Sequence, residues 1–365
     1  MSSRLHDLSA HGVSVWVDSL SREMLETGHL KGLMDADAVV GVTSNPTIFQ
    51  KALSTGEWYD EQLREALERT NDTKEVFFAL AVEDIKRACD LMRPVWERTN
   101  GVDGYVSIEV DPDLAYERDG SYEQAKLLTE LVDRQNVFVK IPATVPGLGA
   151  IEDSIAAGRP INITLIFSLE RHAAVADAYV RGLERLVEAG GDPTHVASVA
   201  SFFVSRVDTE ADRRLAEIGR EDLQGKLAVA NAKLAYEQYL GVFSGPRWEA
   251  LAAAGARPQR CLWASTSTKN PAYRDVLYVE ELVGPNTVNT MPFETIEAFQ
   301  DHGVIRETLT EGVDNARALL QELHAAGIDY DDVTETLERE GVQKFSDSFA
   351  SLLEGIDAKR AVLTV

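Results

Sequence analysis

Eight short apolar runs set the limits on what this chain can become. They are VSVWVDS (13–19), VVGVTSN (39–45), GYVSIEV (104–110), VFVKIPA (137–143), INITLIF (161–167), VASVASFFV (196–204), CLWAST (261–266) and TVNTMP (287–292). Each is strand-sized and rich in β-branched or aromatic residues. Between most of them lie segments with apolar residues three and four apart. TKEVFFALAVEDIKRACDLMRPVWERT and EDLQGKLAVANAKLAYEQYLGVFS are the clearest. Strand and helix in alternation imply a parallel sheet with helices outside it. Eight such units predict a closed (β/α)8, or TIM, barrel rather than an open doubly wound sheet. The open sheet is further disfavoured because no GxGxxG follows the first run. No Pro/Ser/Gly-rich linker and no repeat of fixed period divides the chain, so residues 1–365 read as a single barrel domain. The tail from about 303 is helical and is expected to contain the last barrel helix plus extra helices packing on the barrel.

Several function classes fall away on composition. The longest apolar runs are strand-sized, so no transmembrane helix is expected. The N-terminal MSSRLHDLSAHG lacks the apolar core of a signal peptide. Two cysteines, Cys89 and Cys261, with no CxxC spacing argue against a zinc site or a disulfide framework and fit a reducing cytoplasm. A net charge of −24 disfavours nucleic acid and anionic membranes as partners. It also means that an anionic substrate needs a local group of cations to overcome the field of the whole chain. Monomer and homodimer both remain open.

In a barrel, alternate strand residues point inward and functional groups gather at the C-terminal strand ends. The first run places Ser14, Trp16 and Asp18 on one parity; the second, Gly41, Thr43 and Asn45; the third, Tyr105, Ser107 and Glu109. The fourth places Phe138, Lys140 and Pro142, and the fifth Asn162, Thr164 and Ile166. A purely structural barrel would fill these layers with Val, Ile and Leu. Each residue also has a plain structural reading. Asp18 could cap a helix starting near Ser19. Asn45-Pro46 resembles an N-cap followed by proline at the first helical position. Glu109 and Lys140 could form a buried ion pair without chemistry. Thr164 could be an ordinary β-branched strand residue. The glycines of PGLGAI (146–151) read as turn geometry at a helix start. The set, more than any member, points to chemistry.

A lysine desolvated in a barrel loses proton affinity. Its neutral amine can attack a carbonyl and form a Schiff base, which acts as an electron sink for C–C cleavage. One carboxylate must then move protons while the carbinolamine forms and loses water. Another must take the proton of the hydroxyl whose C–C bond breaks. Lys140, Glu109 and Asp18, on three different strands, supply that set for a Schiff-base aldolase-type enzyme.

The segments GVTSNPTIFQKAL (41–53), GYVSIEVDPDLA (104–115), VFVKIPATVPGLGAI (137–151), INITLIFS (161–168) and SFFVSR (201–206), in this order, resemble the transaldolase family. VDSLSREML near the start and STSTKNPAYRDVLYVEELVGPNTVNTMP near the end are similar to its longer, actinobacterial-type members. The resemblance implies a Schiff base on Lys140, with Glu109 as general acid/base through a water held by Thr164. It implies that Asp18 handles the proton of the C4 hydroxyl. Thr43, Asn45 and Asn162 would bind the three-carbon dihydroxyacetone unit, and Ser201 and Arg206 the phosphate. It further implies transfer of that unit from fructose 6-phosphate or sedoheptulose 7-phosphate to an aldose phosphate, in the non-oxidative pentose phosphate pathway, with no metal or organic cofactor.

One departure is visible. Many family members carry Ser-Phe-Arg-Asn after the seventh strand, where this chain has ASTSTKN (264–270). Lys269 would take the place of the second phosphate-binding arginine, as a point charge instead of a bidentate fork, with hydrogen bonds added by Ser265 and Ser267. The alternative activity is that of the fructose 6-phosphate aldolases of the same superfamily, which release free dihydroxyacetone. Glu109, where a tyrosine-type acid would favour free aldol chemistry, and the chain length favour transfer. A barrel kept only as a binding scaffold would be expected to have lost part of the catalytic set.

Overall fold

All eight apolar runs form strands in the computed structural model, which describes residues 3–54 and 57–363. Residues 1–2, 55–56 and 364–365 of the expected 1–365 domain lie outside the described residues. The strands are β1 (Val13–Val17), β2 (Val39–Val42), β3 (Val106–Glu109), β4 (Val137–Pro142), β5 (Ile161–Ile166), β6 (Ser198–Phe203), β7 (Arg260–Ala264) and β8 (Thr287–Met291). Each pairs in parallel with its sequence neighbours, and β1 closes on β8 in register from Val13–Thr287 to Val17–Met291. With helices between the strands, the protein is a (β/α)8 barrel with additional C-terminal helices. The near-continuous apolar runs follow from that closure. Helices cover one face of each strand and barrel-filling side chains the other, so β3 to β6 and β8 are buried at every position.

Large rings fill the barrel below the C-terminal layer. Tyr105 stacks on Phe138 at 4.1 Å between centroids, and Trp16 lies 6.1 Å from Phe138. Gly41 faces Trp16 across the β1–β2 register, and a Cβ there would run into the indole. Beneath the rings, Ser14 donates to Asp103 Oδ2 at 2.7 Å and Arg260 pairs with Asp103 Oδ1 at 2.9 Å. So the first parity set splits by level. Ser14 joins a polar plug at the N-terminal end, Trp16 fills the middle, and only Asp18 reaches the functional end.

Two local devices shape that end. Opposite the span from Ala200 to Phe202, β5 carries one extra residue, so Thr164 and Leu165 together face Ser201. Leu165 takes a left-handed φ of 59° at this bulge. The helix Ser205–Glu217 follows β6 and is pinned by buried Asp208. The carboxylate of Asp208 accepts from Ala228 N at 2.7 Å and from the Tyr278 hydroxyl at 2.9 Å.

The tail differs from expectation at its start. The helix that follows β8 is Phe293–His302, ahead of residue 303, so the tail does not contain it. Beyond it come the helices Val313–Ala325 and Tyr330–Leu363. The first packs on the helix Leu227–Val242, and the second runs across the helices Pro46–Ser54, Thr73–Arg98 and Ser205–Glu217. Its Gly341 lies against Leu165 and Phe167, so this helix crosses the C-terminal mouth of the barrel. Gly147 and Gly149 are helical residues within Val145–Ala156, not turn residues. Thr144 caps that helix through Gly147 N at 3.1 Å, and a side chain at Gly147 would meet the Pro142 carbonyl oxygen at the end of β4. Close approach, not turn conformation, is what requires glycine there.

Candidate active site

The polar set converges on a cavity at the C-terminal ends of the strands. Asp18, Thr43, Asn45, Lys140, Thr164, Ser201, Arg206 and Lys269 all line it. Glu109 and Asn162 stand behind its wall, both buried.

Lys140 and Glu109 are cross-strand neighbours in the β3–β4 register. Lys140 Nζ lies 3.0 Å from Glu109 Oε2 and donates to Ser44 O at 3.1 Å. The two side chains are 6 % and 5 % exposed, so solvent screens the pair little. Burial pushes the Glu109 carboxyl above the usual range, and the Lys140 charge opposes it. A carboxylate so placed can accept the ammonium proton and leave a neutral amine. Thr164 is fully buried, and among the described residues its hydroxyl has no hydrogen-bond partner.

Asp18 follows β1 directly, its backbone N–H on Met291 O at 2.8 Å. It is not a helix cap, because Ser21 caps the next helix, Arg22–Glu26, through Met24 N. Its Oδ1 accepts from the Thr43 hydroxyl at 2.6 Å. Burial pushes this carboxyl up as well, while Thr43 and the charges of Lys140, Arg206 and Lys269 pull the other way. Asn45 does act as a cap, accepting from Ile48 N at 3.0 Å, yet it also lines the cavity. The structural and functional readings of Asn45 are therefore compatible.

Asn162 is held at both ends, donating to Ser107 Oγ at 3.1 Å and accepting from Ser201 Oγ at 2.6 Å. Arg206 lies in the first turn of Ser205–Glu217, its guanidinium 5.1 Å from the Phe203 ring centroid, and burial lowers its proton affinity. Lys269 donates to Ser267 Oγ at 2.6 Å. Ser265, in the same loop, has a left-handed φ of 56° and also lines the cavity. Sequence reasoning missed Lys51, Glu294, Lys344 and Phe345 on this wall. Lys51 was within reach, since it lies inside the segment 41–53. Lys344 and Phe345 arrive from the C-terminal helix, and no local pattern marks them.

Among the described residues no group of His, Cys, Asp and Glu is arranged to hold a metal ion, and no helix is long and apolar enough to cross a membrane. Basic side chains meeting at the mouth of an acidic barrel, beside a buried lysine–carboxylate pair, suit Schiff-base chemistry on an anionic carbonyl compound.

Comparison with known proteins agrees. The profile of the family described as "Transaldolase/Fructose-6-phosphate aldolase" matches residues 15–356. The transaldolase of Parafrankia sp. (strain EAN1pec) is 56 % identical over 360 residues, covering 98 % of each chain. That of Acidothermus cellulolyticus is 55 % identical, covering 98 % of this chain and 96 % of its own. That of Thermobifida fusca is 52 % identical over the whole of both. The chain belongs to the transaldolase/fructose-6-phosphate aldolase family.

Proposed function

We propose that the protein is a transaldolase that works through a Schiff base on Lys140. It moves a dihydroxyacetone unit from fructose 6-phosphate or sedoheptulose 7-phosphate to erythrose 4-phosphate or glyceraldehyde 3-phosphate. The reaction belongs to the non-oxidative pentose phosphate pathway and to the cytoplasm. The single observation that carries this reading is the buried pair of Lys140 and Glu109, 3.0 Å apart, opening onto a cavity shared with Asp18.

Proton transfer from Lys140 to Glu109 frees the amine to attack the C2 carbonyl of the donor. Glu109 returns the proton as the carbinolamine loses water, through a water held by the Thr164 hydroxyl. Asp18 then takes the C4 hydroxyl proton, the C3–C4 bond breaks, and its electrons move into the protonated imine. The aldose phosphate leaves, and the three-carbon enamine stays on Lys140. It adds to the incoming aldehyde, whose oxygen recovers the proton from Asp18. Hydrolysis of the new imine releases the product. Thr43, Asn45 and Asn162 hold the three-carbon unit, with Ser201 fixing Asn162 beside it. Ser201, Arg206 and Lys269 mark the phosphate end. The chemistry needs neither a metal nor an organic cofactor.

The test is fructose 6-phosphate with and without erythrose 4-phosphate. Sedoheptulose 7-phosphate should form only with both, and borohydride with the donor alone should leave a three-carbon adduct on Lys140. An adduct on another lysine, or none, would sink the mechanism.

A further inference from the structure

Among the described residues, three cations at the mouth of this acidic protein form no ion pair with a carboxylate, and one of them comes from outside the barrel. Arg206 follows β6 and Lys269 follows β7. Lys344 belongs to the helix Tyr330–Leu363, next to Phe345, whose ring centroid is 5.8 Å from Lys140 Nζ. All four residues line the same cavity. Among the described residues, none of the three cations forms an ion pair, although the chain holds 60 Asp and Glu against 36 Lys and Arg. With carboxylates in such excess, a cation is easily paired. Three left unpaired around one cavity are arranged for an anion that the chain itself does not supply.

We propose that Lys344 is a phosphate-binding residue, and that a bound phosphate pins the C-terminal helix across the barrel mouth. The proposal rests on the transaldolase reading and adds to it a residue and a coupling. The charges of Arg206, Lys269 and Lys51 oppose Lys344, and its proton affinity is lowered chiefly by Arg206. A phosphate dianion between helix and barrel turns that repulsion into attraction. The reaction then drives the coupling in both directions. When the C3–C4 bond breaks, the phosphate leaves with the aldehyde while the three-carbon unit stays on Lys140. The helix is then held less firmly, and the acceptor's own phosphate restores the contact.

The probe is inorganic phosphate, read by calorimetry and by hydrogen exchange over residues 330–363, on the wild type, Lys344→Gln, Lys344→Arg and Arg206→Ala. Phosphate should slow exchange in the helix of the wild type. Lys344→Gln should weaken phosphate binding by about five- to tenfold, lose that protection, and raise KM for fructose 6-phosphate more than it lowers kcat. Lys344→Arg should restore much of each. Lys344 is exposed, so its replacement leaves the core untouched. Wild-type phosphate affinity and KM in Lys344→Gln, alongside weakened binding in Arg206→Ala, would overturn this proposal alone. Undiminished binding in both variants would remove the phosphate subsite and the proposal with it.

Discussion

Lys140 Nζ and Glu109 Oε2 face each other at 3.0 Å across neighbouring strands, nearly shut off from solvent, yet the lysine reaches the cavity. A buried ion pair is poor at stabilising a fold, since desolvation offsets much of the attraction. It is well suited to moving one proton over a short distance. Glu109→Gln keeps the shape and removes the base. Turnover should fall by about 10²–10⁴-fold, and borohydride trapping of the donor should slow in step. Trapping at the wild-type rate would take Glu109 out of imine formation.

Asp18→Asn separates the two carboxylates by step. The amide oxygen can still accept from Thr43, so the site should stay assembled. Turnover should fall by a similar ~10²–10⁴-fold, while the Lys140 adduct with fructose 6-phosphate still forms and now retains all six carbons. A three-carbon adduct at the normal rate would show that cleavage proceeds without Asp18.

Asp208 gives a pH dependence whose sign is fixed. Burial pushes its carboxyl from 3.8 up to about 7. The folded state therefore holds a proton that the unfolded chain has released. The associated stability is present below about pH 4 and is lost as pH rises through about 7. Asp208→Asn cannot titrate, so its melting temperature should gain on the wild type between pH 5 and pH 8. The difference is on the order of a few kcal/mol. A gap that stays constant with pH would refute the assignment.

Gly147→Ala would press a methyl group against the Pro142 carbonyl at the end of the Lys140 strand. Backbone cannot yield as a flexible side chain does, so urea unfolding should show a loss of about 1–3 kcal/mol. Gly149→Ala meets only the flexible Arg118 side chain and should lose less. Equal stability of the two variants would contradict this reading of the helix start.

The eight strands were legible because a closed parallel sheet buries both faces and so writes itself as apolar runs. Lys140, Glu109 and Asp18 were legible because each breaks such a run near its C-terminal end. What stayed hidden depends on distance or on backbone. The role of Asp18 as a cap failed because Ser21, three residues on, does that work. The bulge at Leu165 leaves no mark in INITLIF, since the sequence shows parity but not where parity slips. Lys344 lies some 200 residues beyond Lys140, and only helix packing brings the two to one cavity. Gly147 looked like a turn because glycine's two uses, freedom of φ and lack of bulk, are spelled alike.

The seam between β1 and β8 has a consequence for how the enzyme comes into being. Val17 is made about 270 residues before Thr287, so β1 waits on the nascent chain with one edge unsatisfied. At ordinary rates of synthesis that wait is on the order of ten seconds to a minute. Asp18 hangs from this seam by its backbone bond to Met291. The carboxylate proposed to start C–C cleavage is thus seated only when translation has passed β8, and no shorter nascent barrel can hold it in place.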